Sequence, residues 1–113
     1  MIANRKPELI FEGDFDEREE MECRDRGYRS HVSVELASGE QFPVVFYDAV
    51  RLQQDLTVEV SSGTPFIAEP GLIVLPEVTR KNMEVAVCRL AEEGFFDSLR
   101  PVSHDSDAVV RTH

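Results

Sequence analysis

Polar and apolar residues alternate over two neighbouring segments of the chain. Between Tyr28 and Leu36 the valines alternate with polar side chains, which is the period of a strand with one face on a core. Residues 37–40, Ala-Ser-Gly-Glu, have the composition of a hairpin turn. Residues 41–47 predict the partner strand, in which Pro43 must lie at an edge or outside the ladder because proline has no N–H.

The segment 64–96 predicts a strand pair bent at residues 69–71, Glu-Pro-Gly, followed by a helix. The run 72–75 is apolar throughout, which is typical of a central strand or one covered on both faces. Thr79 is placed as the N-cap of the helix, and Gly94 as the left-handed residue that ends it.

Two segments are harder to interpret. Residues 8–13 predict a short first strand. The acidic segment 14–27 has no helical apolar stripe, so it predicts a solvated loop or a frayed strand extension.

Residues 48–63 fit two patterns. Asp48 as an N-cap and the helix formers after it favour a helix, whereas the β-branched Thr57, Val58 and Val60 favour a strand. We predict the helix, because it would separate the hairpin from the next strand and cover the sheet.

Together these elements predict an α+β fold in the order β-β-β-α-β-β-α. The sheet would be mostly antiparallel with four to five strands, both helices would pack on one face, and the other face would be partly open to water. Residues 1–97 are predicted to form a single domain and 98–113 a flexible C-terminal tail.

The net charge of −10 argues against binding to a nucleic acid backbone or to an anionic membrane surface. It favours faster association with a basic partner, although solubility alone is a simpler reason for such a charge. No apolar run approaches the length of a membrane span, and the N-terminus has no secretory pattern. Cys23 and Cys88 are expected to be reduced thiols, so we expect a cytoplasmic protein.

The sequence contains no complete catalytic or metal-binding motif. Asp14-Phe15-Asp16 begins like a calcium loop, but Glu19 stands where that loop requires glycine. Glu69 and Glu77 flank a predicted strand too far apart to act as an acid–base pair. Neither a nucleophile motif nor a phosphate-binding loop is present, so the sequence identifies no catalytic residue, cofactor or metal ligand and favours a function other than catalysis.

Two surfaces remain as candidates for binding, the acidic segment and the open sheet face. The sequence therefore predicts an interaction module for a more basic protein, for example in the manner of an immunity protein or another inhibitor. The alternatives are a small-ligand or enzymatic site on the open sheet face or between protomers, and a homodimer that pairs through an edge strand. The candidate partner-binding residues are Asp14, Asp16, Glu17, Glu19, Glu20, Glu22, Tyr28, His31 and Glu35.

Overall fold

A computed structural model describes residues 6–99 of the chain. The α+β prediction is confirmed: a four-stranded, mostly antiparallel sheet carries three α-helices. Its strands follow the order β1-β2-β3-β4, and only β3 and β4 run parallel. The elements are β1 (Glu8–Phe11), α1 (Glu17–Arg26), β2 (Tyr28–Glu35), β3 (Gln41–Asp48), α2 (Ala49–Ser61), β4 (Leu72–Leu75), α3 (Arg80–Glu92) and a short 3-10 helix (Phe95–Ser98).

The core lies between one face of the sheet and the helices α1 and α3. The strands contribute alternate residues to it, as their period of two requires. Thr79 caps α3 as predicted, with its side chain accepting a hydrogen bond from the Asn82 N–H at 3.2 Å. The buried residues of the core are Cys23, Val32, Val34, Phe42, Val44, Phe46, Ile73, Leu75, Val78, Met83, Val87 and Phe96.

Pro43 lies in β3, an interior strand, but at a position where no ladder bond is lost. The Val45 N–H donates to the Gly71 carbonyl on the β4 side. Because alternate residues of a strand direct their N–H groups to the same side, the nitrogen of Pro43 also faces that side. Pairing with β4 begins only at Val45, so Pro43 lies beyond it. The predicted position outside the ladder is confirmed.

The strand β4 differs from the prediction in two ways. Residues 64–69 before the turn form no strand, so β4 does not follow a hairpin. Instead the helix α2 connects β3 to β4, which makes that pair parallel, as such crossovers do. The prediction that 72–75 is a central or doubly covered strand was wrong. In the sheet formed by the described residues β4 is an edge, with Val74 half exposed.

The acidic segment is also different from the prediction, because residues 17–26 form a helix rather than a loop. The Asp16 side chain caps it by accepting from the Glu19 N–H at 2.9 Å, and Gly27 ends it in the left-handed conformation. Acidic residues occupy its first turn and basic residues its last, which suits the helix dipole. Only Cys23 is buried, so the helix has no apolar stripe for periodicity to detect.

The helix predicted for 48–63 is confirmed as α2, and Asp48 caps it through a 2.8 Å bond from the Arg51 N–H. It does not join α3 on the core side. Asp55 of α2 accepts from the Tyr47 hydroxyl, and Tyr47 alternates with the core residue Phe46, so α2 contacts the opposite side of the sheet.

The predicted flexible tail, 98–113, begins inside the fold. Ser98 ends the 3-10 helix, and Leu99 packs against the core. The remainder of that prediction, from residue 100 onward, lies outside the described residues.

Candidate functional site

Two of the acidic candidates are used within the fold. Glu19 Oε2 accepts from Arg29 Nη1 at 2.8 Å and lies 3.6 Å from Arg26. Glu20 Oε2 accepts from the backbone N–H of Arg80 at 2.7 Å, at the first residue of α3. Both carboxylates therefore tie α1 to neighbouring elements, and a partner cannot use them without competing with these bonds.

An aromatic pair lies beside these carboxylates. The rings of Phe11 and Phe15 stack with centroids 4.2 Å apart. The guanidinium groups of Arg29 and Arg80 each lie 5.3 Å from the centroid of the Phe11 ring, and both also lie within 6 Å of Phe15. This arrangement joins β1, β2, α3 and the residue before the α1 cap, so the basic side chains here serve the packing of the fold.

Fewer of the other acidic candidates are available to a partner than the sequence indicates. Asp16 caps α1, and Glu22 pairs with both Arg18 and Arg26 at 3.5 and 3.8 Å. Asp14 and Glu17 are exposed. Of the carboxylates in segment 14–25, Glu19 and Glu22 are thus neutralised by neighbouring arginines.

A β-bulge in β2 determines which side chains of that strand face the core. His31 has a positive φ of 58°, and the register with β3 shifts between Arg29 and Val32. The extra residue puts Arg29, rather than Tyr28, on the core side opposite Phe46.

On the side of the sheet that α2 contacts, Tyr28 meets Tyr47 edge to face, with ring centroids 4.9 Å apart. His31 and Ser33 line a cavity of about 420 Å³ next to Pro43 and Glu69. Glu35 lines a separate cavity at the end of β2, beside Arg80 and Cys88. The nine candidates thus lie on several surfaces and do not form one site.

The helix α2 presents a surface that the sequence reasoning missed. Its only charged residues are Arg51, Asp55 and Glu59, at spacings of four, so they lie along one side of the helix. Two of these residues face the body of the protein, since Arg51 pairs with Asp55 at 2.9 Å and lies 4.8 Å from the Tyr28 ring, whereas Glu59 is exposed. The structure describes every side chain of α2, and none of them is buried.

The rest of the circumference of α2 carries no charge and faces solvent. Val50, Val58 and Val60 are 66, 61 and 54% exposed. We call this surface the α2 face, and it consists of Val50, Gln53, Gln54, Thr57, Val58 and Val60. A count of charged residues by helical position would have revealed it, because the charges of 49–61 all fall on one side.

A cleft of about 400 Å³ borders the α2 face. Gly63, with a φ of 101°, turns the chain back after α2, and the Thr64 N–H donates to the Glu59 carbonyl at 2.9 Å. Residues 64–69 therefore run beside the helix. We call this space the α2 cleft, and its principal lining residues are Tyr47, Asp55, Val58, Glu59, Phe66 and Glu69.

Among the described residues we find neither a metal-binding cluster nor a membrane-spanning helix. Between residues 6 and 99, no group of three His, Cys, Asp or Glu side chains is placed to hold a metal ion. Cys23 is a buried free thiol whose pKa is raised by that burial, and it lies in the core. In the same part of the chain, none of the helices has the length and apolar character required to span a membrane.

Comparisons with known proteins add no family to this description: no family model, no curated protein and no solved structure matches the chain.

Proposed function

We propose that this protein is an interaction module that binds a more basic protein partner through the α2 face. The observation that carries the proposal is the orientation of α2: Arg51 and Asp55 lie against the body, while the uncharged, valine-containing side of the helix is exposed. In a chain that is 30% charged, a helix surface without charges is unusual. The central regions of protein interfaces are depleted in charged residues in the same way.

Burial of this surface would stabilise a complex. Complete burial of one valine side chain contributes about 1.5–3 kcal/mol, and three valines on the α2 face are more than half exposed. Phe66, which is 60% exposed, lines the neighbouring cleft together with Val58. Exposed apolar side chains that lie close together in this way mark interaction sites in soluble proteins.

The net charge indicates the kind of partner. A charge of −10 steers a basic protein toward the molecule and speeds its association, most strongly at low salt. An inhibitor of a basic protein, in the manner of an immunity protein, is one concrete form of this function.

A second copy of the chain is a less suitable partner. An isologous contact through the α2 face would bring together two chains that each carry a net charge of −10. Like charges of this kind oppose association. The acidic character of the chain thus favours a basic partner over a homodimer.

Affinity capture with surface variants tests the proposal. The immobilised protein is exposed to a lysate of the source organism at low and at high salt. The variant V50S/V58S removes apolar side chains from the α2 face. The control M21S/V85S removes exposed apolar side chains of similar exposure from α1 and α3.

We expect a basic protein to be retained by the wild type and by M21S/V85S, but not by V50S/V58S, and to be released as salt increases. Equal retention by both variants would show that the α2 face is not the contact. Retention of no protein would contradict the proposed function itself.

A further inference from the structure

The α2 cleft combines carboxylates with two strongly exposed apolar side chains, Val58 and Phe66. Glu59 and Glu69 have no ion-pair partner within residues 6–99, and none of the lysines and arginines there lines the cleft. Asp55 is already engaged, by Arg51 at 2.9 Å and by the Tyr47 hydroxyl at 3.2 Å. The cleft therefore offers two free carboxylates and one that is held in place.

Tyr47 adds a neutral wall to the cleft. Burial, the hydrogen bond to Asp55 and the nearby charges of Asp55 and Glu69 together raise the pKa of Tyr47 to about 12, with burial the largest cause. The phenol is therefore uncharged at physiological pH. Its hydroxyl is used by Asp55, which leaves the ring as an apolar contact.

The mouth of the cleft is apolar and aromatic. Phe66 and Val58 are both about 60% exposed there, on opposite sides of the opening formed by residues 64–69 and α2. An aromatic face next to carboxylates suits a guanidinium group, which stacks on the ring while its N–H groups reach the carboxylate oxygens. An aliphatic stem in the same side chain would cover Val58.

We propose that the α2 cleft binds an arginine side chain of the basic partner, with the guanidinium between Glu59, Glu69 and the Phe66 ring. The inference rests on the proposed function, because it specifies which side chain of the partner enters the cleft when the partner binds the α2 face. Arginine suits the cleft better than lysine, because lysine is a compact ammonium that neither stacks nor presents a planar fork. The α2 face would supply the apolar contact, and the cleft would fix the register of the partner.

The test uses a minimal probe that does not require the partner. N-acetyl-L-arginine amide is titrated into the ¹⁵N-labelled full chain, and amide shifts are followed by NMR. The probe is repeated with N-acetyl-L-citrulline amide, which has nearly the same shape but no charge. We expect arginine to move the amide signals around Glu59, Phe66 and Glu69, and citrulline to leave them unchanged.

Variants that remove equal charge distinguish binding at the cleft from attraction to the net negative charge of the protein. E59Q/E69Q should lower the affinity for the arginine probe by about tenfold, which is the loss expected when two partly exposed charge contacts are removed. E77Q/E92Q removes the same charge from exposed positions on other surfaces and should leave the affinity unchanged. Equal effects of arginine and citrulline, or equal weakening by the two variants, would overturn the inference.

The outcome also separates this inference from the proposed function. If the arginine probe does not bind at the cleft while V50S/V58S still abolishes capture of a basic protein, the α2 face is the contact and the cleft is not an arginine site. If the probe binds at the cleft but nothing is captured from lysate, the arginine site stands and the interaction function fails.

Discussion

Glu19 Oε2 lies 2.8 Å from Arg29 Nη1, and this ion pair fastens α1 to β2. Arg29 is buried, with a side chain that is 9% exposed, whereas the Glu19 side chain is 28% exposed. A second bond runs from Arg29 Nη2 to the Glu12 carbonyl at 3.1 Å. The pair thus neutralises a buried charge that the bulge at His31 directs toward the core.

Removal of Glu19 should therefore destabilise the protein far more than removal of a neighbouring glutamate. We expect Glu19→Ala to lower the free energy of unfolding by about 2–4 kcal/mol, because it leaves the Arg29 charge buried with a weaker set of partners. Glu22→Ala breaks only exposed pairs and should cost less than about 1 kcal/mol. Urea unfolding of both variants makes the comparison, and equal losses would contradict the structural role of Glu19.

The bulge makes its own prediction at His31. A β-branched residue is poorly tolerated at positive φ, so His31→Val should lower the free energy of unfolding by about 1–2 kcal/mol. His31→Gly fits that conformation and should leave stability at or above the wild-type value. Thermal unfolding of the two variants tests this. If valine were as stable as glycine, the backbone at residue 31 would not be left-handed.

Gly71 is required by close packing as well as by its backbone. Its φ is 80°, and a side chain there would collide with the backbone carbonyl of Pro43. Gly63 has a φ of 101° but open space around it. We expect Gly63→Ala to cost about 1–2 kcal/mol, from backbone strain alone, and Gly71→Ala to cost at least about 2 kcal/mol more. Chemical denaturation of the pair measures the difference, which should vanish if β3 and the turn do not approach closely.

The raised pKa of Tyr47, about 12 against an ordinary value of 10, predicts a loss of stability at alkaline pH. Above about pH 10 the unfolded chain loses the phenolic proton that the folded protein still holds, so the free energy of unfolding falls as pH rises toward 12. Below about pH 10 the contribution is fully present. Tyr47→Phe should remove about 1–2 kcal/mol of this dependence. Urea unfolding at about pH 9 and about pH 11.5 tests it, and identical slopes for the two proteins would contradict it.

Much of the fold was predictable because its signals are local. The hairpin 28–48, the capping of α3 by Thr79 and the helix after Asp48 each follow from residues close together in the chain. The helix α1 was missed because caps and charges hold it, and only Cys23 is buried. The parallel pairing of β4 depends on the crossover through α2, which no local pattern specifies.

The candidate site was less predictable for a related reason. The negative charge of residues 14–25 indicated a binding surface, but Glu19 and Glu20 bind residues ten and sixty positions away in sequence. Such contacts appear only when the chain is folded. The spacing of Arg51, Asp55 and Glu59 indicates that one side of α2 carries no charge. Which side of the helix faces solvent depends on its contacts with Tyr28 and Tyr47, which the sequence does not specify.

The most direct measurement is photo-crosslinking from the α2 face in a lysate of the source organism. A photoreactive phenylalanine analogue replaces Gln54 at the centre of the face, and in a control protein it replaces Val85, which is exposed on α3. We predict a discrete crosslinked product with a basic protein from position 54, weakened by high salt, and no such product from position 85. The same products from both positions, or a product from position 85 alone, would contradict the claim that α2 presents the binding surface.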